Sequence, residues 1–392
     1  ISNKYLSAFD KMEQHIKNRK KLNKYTAMGY TSNLDLISDF EAEKFNQLLK
    51  QELPELSADE LEIADEINTT EKLLKTIAYF CANGIGGEVE IEDEDLLTKH
   101  FDWEYGIGGT AVQAAMALAN VNCPSIVHLT DDSKEMLKLL NNQEIYTVSD
   151  AGELVHTDQL ASNHEQEIHF IIQFKKGDKI KLKNHEFTIP NSNRLIITKI
   201  TVNEILPFSK AYFENSSGIV FFEDAHFHRL EIKKMCIENI YPHIDILSLN
   251  EEELEYTLKI YDFPIEIENI ISCVEGTKFL RDKFNIKKGV IVHTKDYSMY
   301  VGEELEANIE EGLIYGNLLA TAKAKNGFYG NKDQISELFE LELSSKGIKA
   351  KNIIDNSPYS NQVVIVPTKY IDKPKYTVGL GDTFVAGVQI CF

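Results

Sequence analysis

The sequence predicts an α/β fold, with a three-layer α/β/α large domain built around a mainly parallel sheet and a smaller, β-containing lid. Apolar runs typical of buried strands recur along the chain, and helical stretches separate the last three of them, as in folds with parallel sheets. The runs expected to be strands are CPSIVHLT, EIHFIIQFK, NRLIITKI, GIVFFEDA, DILSLN and GVIVHT. The length of 392 residues exceeds one ordinary core, so we expect two domains.

The first half of the chain supplies the remaining elements. A charged opening segment is expected to be helical, and residues 25–37 are expected to be the first strand, ending in small and polar residues. Residues 39–74 are rich in Glu, Leu and Lys at helical spacing, and glycines open an alanine-rich helix in GIGGTAVQAAMALANV. EIHFIIQFK and its neighbours, with the polar stretch 175–186 between them, indicate a β-hairpin-like excursion that completes the lid. The expected large domain comprises about residues 1–38, 106–160 and 195–392, and the expected lid about 39–105 and 161–194.

Composition argues against several classes of partner. A formal net charge of −21 argues against a nucleic-acid or anionic-membrane surface. The sequence has no secretory-type apolar core at its start and no uncharged apolar run of the roughly 18 residues that span a bilayer. The five cysteines are scattered without a CxxC pair, which favours reduced thiols. We therefore expect a cytoplasmic protein without nucleic-acid or membrane partners, and its oligomeric state stays open.

The strongest chemical signal is YTVGLGDTFVAGV near the end of the sequence. Glycines around an acid and a threonine, followed by an apolar run, predict a loop that turns into a helix and offers backbone N–H groups to an anion. Asp382 in this loop is placed to accept a proton from a hydroxyl that attacks a phosphoryl group. The same residues are equally compatible with a simple helix cap formed by Asp382 or Thr383.

Two other polar pairs lie at predicted strand ends. Asn33 and Asp35 are two residues apart, so on a strand they share one face and together can bind adjacent hydroxyls of a sugar. Composition alone favours an Asx turn at this pair. Asn250 and Glu253 follow an apolar strand and open a helix, where an acid can hold hydrated magnesium. Their spacing also matches a capping box, which composition alone favours.

Two weaker patterns predict other ligands. Gly106, Gly108 and Ala111 fit the G-x-G-x-x-A dinucleotide motif, but the preceding KHFDWEY is polar, whereas that motif must follow a buried strand. These glycines are better interpreted as allowing the backbone to approach a substrate closely, and tight helix packing is the alternative. His226 and His228 lack a third ligand at identifiable spacing, which favours ordinary polar contacts over zinc. The sequence has no Walker A motif.

Taken in order, these segments resemble the ADP-dependent glucokinases and phosphofructokinases of the ribokinase-like superfamily. TVGLGDT resembles that family's phosphate-binding and catalytic motif, GYTSNLD its sugar-binding stretch, GIGGTA its Gly-Gly substrate loop and LNEEE its Asn-x-x-Glu metal motif. The resemblance runs from about residue 25 to the end. It implies a sugar kinase that uses Mg²⁺ and transfers the terminal phosphoryl group of a nucleotide to a hydroxyl of the glucose or fructose 6-phosphate class. The wording of the last motif implies ADP as the donor.

The resemblance also implies roles for individual residues. Asp382 would be the general base, and Gly379, Leu380 and Gly381 would form the anion hole. Asn250 and Glu253 would lie near magnesium, mainly through water. The residues that would face the sugar, or a phosphate already on it, are Asn33, Asp35, Glu88, Gly108, Gly109, Lys176 and Arg194.

Two departures from the family pattern bear on substrate and efficiency more than on fold. The arginine expected just before the Gly-Gly loop is Gly106, and the expected Gly-Gly-Gln/Asn has Thr110 as its third residue. Two other functions therefore stay open. One is an ATP-dependent ribokinase-like carbohydrate or nucleoside kinase, and the other is a catalytically weak sugar-binding regulatory protein on the same fold.

Overall fold

A computed structural model gives the positions of most of the chain. The residues that it describes are 2–29, 32–64, 66–149, 151–160, 166, 168–198, 213, 216, 218–225, 227 and 230–392. The α-helices among them are α1 (Ser2–Lys21), α2 (Ala42–Glu52), α3 (Thr70–Asn83), α4 (Asp95–Thr98), α5 (Thr110–Asn120), α6 (Lys134–Leu139), α7 (Leu230–Ile240), α8 (Glu251–Ile260), α9 (Ile270–Phe284), α10 (Ile309–Asn326), α11 (Lys332–Ser336), α12 (Ser345–Asp355) and α13 (Leu380–Gln389).

The strands are distributed among these helices along the chain. They are β1 (Thr26–Met28), β2 (Asn33–Asp39), β3 (Glu66–Ile67), β4 (Gly87–Ile91), β5 (Glu104–Gly108), β6 (Ser125–Val127), β7 (Ile145–Val148), β8 (Leu154–His156), β9 (Ile168–Phe174), β10 (Lys179–Lys181), β11 (Glu186–Thr188), β12 (Asn193–Thr198), β13 (Phe221–Glu223), β14 (Ile246–Asn250), β15 (Gly289–His293), β16 (Tyr297–Gly302) and β17 (Val363–Pro367).

These strands form three main sheets and a hairpin. A six-stranded sheet has the order β3-β4-β12-β9-β2-β5, with β2 parallel to β9 and antiparallel to β5. A four-stranded sheet has the order β1-β6-β7-β8, and a five-stranded sheet runs from β13 to β17 in chain order. The first three strands of each of these two sheets are parallel. In the predicted hairpin-like excursion, β9 and β12 are antiparallel, and the segment between them contains a further antiparallel pair, β10–β11.

The six-stranded sheet has one apolar face and one face of mixed polarity, called the polar face below, because side chains alternate along each strand. Leu195 and Ile197 of β12, with Phe170 and Ile172 of β9, belong to a core beneath the sheet, where α3 also packs. The residues between them, Ile171 and Ile196, project to the opposite face together with polar residues of the same strands such as Arg194 and Thr198. This polar face is where the candidate sugar residues lie.

The largest core joins the two ends of the described chain. Buried residues of α1 pack with α10 and α13, and the Tyr5 hydroxyl donates to the Pro367 carbonyl oxygen at 2.7 Å. Arg19 is 7% exposed, and its Nη1 donates to the carbonyl oxygens of Gln389 and Phe392 at 3.1 Å each. The helix α13 is therefore held by a helix from the opposite end of the chain.

Two glycines allow α10 and α13 to cross in direct backbone contact. A Cβ at Gly387 would lie 2.6 Å from the Cα and N atoms of Gly316, and a Cβ at Gly316 would lie 2.7 Å from the Phe384 carbonyl oxygen. No real Cβ makes such contacts without a shift of its surroundings. The glycines therefore fix how α13 lies against α10.

The fold class predicted from the sequence is confirmed, with one correction near the start. The predicted single strand at 25–37 is two strands, β1 and β2, which belong to different sheets. Asn33 and Asp35 thus begin β2 instead of ending the first strand.

The predicted domain boundaries stay a prediction. The six-stranded sheet combines strands of the predicted lid with residues 33–38, 106–108 and 195–198 of the predicted large domain. The five cysteines are buried, and none is bonded to another. No helix among the described residues is long and apolar enough to cross a membrane.

Candidate active site

Asn33 and Asp35 form a buried polar pair on the polar face of β2. Asn33 Nδ2 donates to Asp35 Oδ1 at 2.8 Å, and the two residues are 2% and 3% exposed. Gly108 lies opposite Asn33 on β5, and a Cβ there would overlap both polar side chains. The expected shared face is therefore present, and the alternative Asx turn is not, because both residues lie within a strand. Gly109 follows in the left-handed region at φ 91° and opens α5.

The environment of Asp35 disfavours its ionised form. Burial raises the pKa of Asp35 to about 7, and the hydrogen bond from Asn33 opposes this rise. The Asp382 carboxylate raises the pKa further, while the cations of Lys323 and Arg194 lower it. Asp35 and Asp382 therefore lie close enough to influence each other, although 346 positions separate them in the sequence.

The start of α13 has the geometry of an anion site. Gly379 precedes the helix in the left-handed region at φ 65°, and no side chain caps the helix. The Thr383 hydroxyl instead donates to the Gly379 carbonyl oxygen at 2.7 Å. The first-turn N–H groups of Leu380, Gly381 and Asp382 have no partner within the helix, and the helix dipole makes this end positive. The alternative, a helix capped by Asp382 or Thr383 as side-chain acceptor, is not found.

Asp382 lies among both acids and cations. Burial raises the pKa of its carboxyl group, and the nearby Glu223 carboxylate adds to the rise. Lys323, a hydrogen bond from Thr110, and His293 act in the opposite direction. A carboxylate whose pKa is raised in this way suits a group that must accept a proton during a reaction.

Lys323 of α10 contacts both Gln113 of α5 and Gly379 at the start of α13. It is 2% exposed, and its Nζ donates to Gln113 Oε1 at 2.7 Å and to the Gly379 carbonyl oxygen at 3.3 Å. The ammonium group also lies 4.4 Å from the centre of the Tyr329 ring and 5.5 Å from that of Tyr376. Burial lowers the pKa of Lys323 to about 8, although Asp382 and Asp35 both favour its charged form.

Three parallel strands end beside α13 with polar residues. Glu223, Asn250 and His293 are the last residues of β13, β14 and β15. His293 Nε2 lies 2.9 Å from Glu223 Oε1, and both atoms are near the open side of Gly381. Burial lowers the pKa of His293, but the Glu223 carboxylate and other acids outweigh burial, so the net direction is upward.

The candidate metal residues Asn250 and Glu253 form a reciprocal capping box at α8. Asn250 Oδ1 accepts from the Glu253 N–H at 2.9 Å, and Glu253 Oε2 accepts from the Asn250 N–H at 2.8 Å. Burial raises the pKa of Glu253 to about 8, with Glu223 and Asp224 adding to the rise. One carboxylate oxygen of Glu223 and one of Asp224 are buried without a hydrogen-bond partner. No three acid, His or Cys side chains among the described residues are grouped as metal ligands.

The remaining sugar candidates lie farther along the six-stranded sheet. Glu88 Oε1 accepts from the Thr198 hydroxyl at 3.3 Å on the polar face. Arg194 pairs with Gln173 near the end of β9, yet its charge lowers the pKa of Asp35. Lys176 lies beyond that end and is exposed. Because β9 rises about 3.3 Å per residue, its end at Phe174 lies roughly 17 Å from His169, the residue that pairs with Asp35. The structure therefore does not bring Lys176 to the Asp35–Asp382 region.

The competing dinucleotide motif lacks its structural context. Its glycines lie on β5, an edge strand that is antiparallel to β2, whereas a dinucleotide fingerprint joins a buried parallel strand to a helix. Gly108 instead makes room for Asn33 and Asp35. The two histidines considered for zinc, His226 and His228, lie outside the described residues.

Comparison with known proteins identifies the family. The family model for the ADP-specific phosphofructokinase/glucokinase conserved region matches residues 24–217 and 202–389. The chain belongs to the ADP-specific phosphofructokinase/glucokinase family. It is 24% identical to the ADP-dependent glucose/glucosamine kinase of Pyrococcus abyssi (strain GE5 / Orsay), over 91% of each chain. It is 25% identical to the ADP-specific phosphofructokinase of Thermococcus kodakarensis, over 93% of this chain and 94% of the relative.

Solved structures share the fold. An ADP-dependent kinase in complex with fructose-6-phosphate and ADPβS matches 100% of this chain and 97% of its own, with a TM-score of 0.76 and 19% identity. The last common ancestor of ADP-dependent phosphofructokinases from Methanosarcinales covers 100% of this chain and 97% of its own, with a TM-score of 0.72 and 22% identity. The predicted fold of the ADP-dependent sugar kinases is therefore confirmed.

The structure shows where the two departures from the family pattern lie. Gly106 pairs with Asp35, so no side chain projects there from β5. Thr110 begins α5 and hydrogen-bonds to Asp382. Thr110, which departs from the family pattern, thus contacts Asp382, the predicted base.

Several site residues were missed from the sequence. Glu223 and His293 each end a parallel strand, so the rule that ligands bind at the carboxyl ends of such strands would have indicated them. Lys323 carries no such signal, because a lysine on a helix is ordinarily exposed. Gln113 and Tyr376 flank recognised motifs, but their partners are distant in sequence.

Proposed function

We propose that this protein is a sugar kinase that transfers the terminal phosphoryl group of ADP to a hydroxyl of a sugar or sugar phosphate, of the glucose or fructose 6-phosphate class. One observation carries the proposal. Asp382, in the first turn of α13, lies beside a buried lysine and close to the Asn33–Asp35 pair. A proton acceptor, an anion site and a hydroxyl-binding pair are thus within one region.

In the proposed reaction the sugar hydroxyl oxygen attacks the terminal phosphorus of ADP, and the bond from that phosphorus to the bridging oxygen of the departing AMP breaks. Asp382 takes the hydroxyl proton. The first-turn N–H groups of Leu380, Gly381 and Asp382 face the charge that develops on the phosphoryl oxygens. Asn33 and Asp35 orient the acceptor, since an amide and a carboxyl group together offer donors and acceptors to adjacent hydroxyls.

The residues near the start of α8 fit a hydrated magnesium ion. Mg²⁺ keeps several waters and needs only one or two carboxylates. Glu223 and Asp224 add to the raised pKa of Glu253 and each has an unpartnered oxygen, so carboxyl groups are concentrated here whose ionised forms a cation would stabilise. Asn250 and Glu253 would hold the ion mainly through water, and when bound it would neutralise nucleotide phosphates. We place this activity in the cytoplasm.

The direct test is phosphoryl transfer with magnesium, crossing ADP and ATP against glucose, fructose 6-phosphate, ribose and nucleosides. ADP-dependent turnover supports the proposal and names the acceptor. Turnover with ATP alone favours an ATP-dependent ribokinase-like kinase. Sugar binding without turnover under either nucleotide favours the regulatory protein, for which the departures at Gly106 and Thr110 are the specific observation.

The Asp382→Asn variant tests the base. We expect kcat to fall by about a hundredfold or more, because the amide cannot take up the proton. Asp372→Asn is the matched control, since Asp372 is exposed near the same segment. Wild-type turnover from a folded Asp382→Asn enzyme would remove Asp382 from this role.

A further inference from the structure

A buried polar chain connects the candidate sugar loop with the candidate phosphate loop. Gln113 Nε2 donates to the Ile107 carbonyl oxygen on β5, and Gln113 Oε1 accepts from Lys323 Nζ. Lys323 Nζ in turn donates to the Gly379 carbonyl oxygen. The sugar loop begins just after Ile107, and the phosphate loop begins at Gly379. One side-chain pair therefore spans both loops.

The part of this polar network that lies next to Gly379 is tightly packed. A Cβ at Gly379 would lie 2.8 Å from Lys323 Nζ and 2.9 Å from Gln113 Oε1. The Tyr329 hydroxyl donates to the same Gln113 oxygen, and its ring lies against the ammonium group. Lys323 is thus held by a hydrogen-bonded amide, a backbone carbonyl group and an aromatic face.

The position of this lysine is electrostatically distinctive. Asp35 on β2 and Asp382 on α13 both favour its charged form, and each of them is buried or partly buried. The tyrosines Tyr329 and Tyr376 face it from the loops after α10 and before α13. Gly106 supplies no charge opposite Asp35. Lys323 is therefore a buried cation shared by the predicted sugar ligand and the predicted base.

We propose that Lys323 is a positioning residue for phosphoryl transfer, which ties the sugar loop to the phosphate loop through Gln113 and stabilises negative charge on Asp382 and Asp35. This inference rests on the proposed function. A lysine that only filled the core would be replaceable by an uncharged side chain of similar size without any change in the pH dependence of turnover. Replacing a positioning lysine in the same way would change the pH dependence of turnover.

The wild-type enzyme gives the first readout. Burial lowers the pKa of Lys323 to about 8, so its charge is present below that pH and is lost above it. We expect kcat to fall as the pH rises through about 8. In Lys323→Arg the guanidinium stays charged above pH 12, so we expect this alkaline decline to disappear from the measurable range while part of the activity is retained.

The neutral variant Lys323→Gln gives the second readout. We expect kcat at neutral pH to fall about tenfold or more, with the acid limb of the pH profile moving upward by about one unit because Asp382 loses its nearest cation. Lys325→Gln is the matched control. Lys325 lies on the same helix, is partly exposed, and pairs with Glu337 at 3.0 Å on the surface. We expect the control to retain wild-type kcat and pH dependence.

Each outcome bears on a defined claim. If Lys323→Gln folds and matches Lys325→Gln in kcat and in pH profile, the inference is wrong. If Lys323→Gln does not fold, Gln113→Met replaces it, and unchanged kcat in that variant overturns the inference. A wild-type kcat that stays level to about pH 9.5 overturns it without any variant, since the charge of Lys323 would then not matter. Should wild type transfer no phosphoryl group at all, the proposed function fails and the inference falls with it.

Discussion

At the scale of the residue, Asp35 shows how a ligand-binding group differs from a stabilising one. It is 3% exposed, and burial is the main cause that raises its pKa to about 7 from an ordinary value of 3.8. Asn33 supplies only one hydrogen bond. Ionised Asp35 therefore weakens the folded protein, and a sugar hydroxyl is the partner that its carboxylate still lacks in our proposal.

The Asp35→Asn variant should be more stable than wild type at pH 8. The side chain still accepts from Asn33, but no buried charge forms. Wild-type stability should fall as the pH rises from about 4 to about 7, because the unfolded aspartate ionises there while the folded one stays protonated. The gain of the variant should therefore grow over this range and stay level above it, at an order of 2–4 kcal/mol.

Chemical denaturation at several pH values measures this difference, and sugar KM should rise in the same variant. Asp39→Asn is the control on the same strand, where the carboxylate is exposed and pairs with Lys175. Equal stabilities of Asp35→Asn and wild type at pH 8 would contradict the buried-charge argument.

The sequence revealed those residues whose geometry is local. Asn33 and Asp35 are two positions apart, so a strand alone places them on one face. Asp382 lies within a motif of consecutive residues. Lys323 and Gln113 meet across 210 positions, and neither has a neighbour in sequence that indicates the contact. Their role depends on burial, which composition could not reveal.

At the scale of the element, the crossing of α10 and α13 sets the direction of the candidate phosphate site. Gly316 and Gly387 bring the two backbones together, and Asp382 lies at the other end of the same short helix as Gly387. A change in the crossing therefore moves the first-turn N–H groups.

The Gly387→Ala variant should separate the two helices. Its Cβ would lie 2.6 Å from backbone atoms of Gly316, so α13 must shift. We expect a loss of about 1–3 kcal/mol in the free energy of unfolding, as for other overpacked sites, together with a lower kcat. Sugar KM should change little, because Asn33 and Asp35 lie on a different element.

Denaturation curves and steady-state kinetics check both parts. Gln389→Ala serves as the control, since Gln389 is on the same helix and partly exposed. A Gly387→Ala enzyme with the stability and kcat of this control would show that the crossing is adaptable.

The sequence anticipated the helical starts better than the strand boundaries. Glycines predicted the openings of α5 and α13, and the spacing of Asn250 and Glu253 predicted the capping box that is present. The single strand expected at 25–37 failed because β1 and β2 join different sheets. Tertiary pairing separates them, since β1 pairs with β6 whereas β2 pairs with β5 and β9.

At the scale of the whole molecule, the first helix holds the last one in place. Arg19 of α1 donates to two carbonyl oxygens near the end of α13 and to the Thr26 hydroxyl at 2.7 Å. A cation at a helix C-terminus is also favoured by the helix dipole. This contact joins segments about 370 positions apart.

The Arg19→Met variant should lose about 1–3 kcal/mol of stability, because buried carbonyl oxygens lose their donor. The melting temperature should fall by several degrees, with turnover of the folded enzyme largely kept. Calorimetry and an activity assay below the transition measure the two effects. Lys17→Met is the control, since Lys17 is exposed and pairs with Glu13 on its own helix. A melting temperature equal to that of the control would mean that Arg19 contributes nothing to the attachment.

The family resemblance and the alternation of strands predicted the fold class as a whole. The division of the strands among separate sheets could not be predicted in this way. Most of β2 falls within the expected large domain, yet β2 pairs with β9 of the expected lid. Strand pairing is a long-range property, and a single sequence gives little information about it.

The backbone contact between Gly316 and Gly387 also bears on how substrate preference evolves. It anchors the donor side of the proposed reaction through main-chain atoms of two helices, whereas the acceptor side consists of side chains on a separate sheet. Substitutions on that sheet can alter the preferred acceptor while the position of α13 and its first-turn N–H groups stays the same. We therefore expect the sugar preference of this fold to change more readily than its phosphoryl-transfer chemistry.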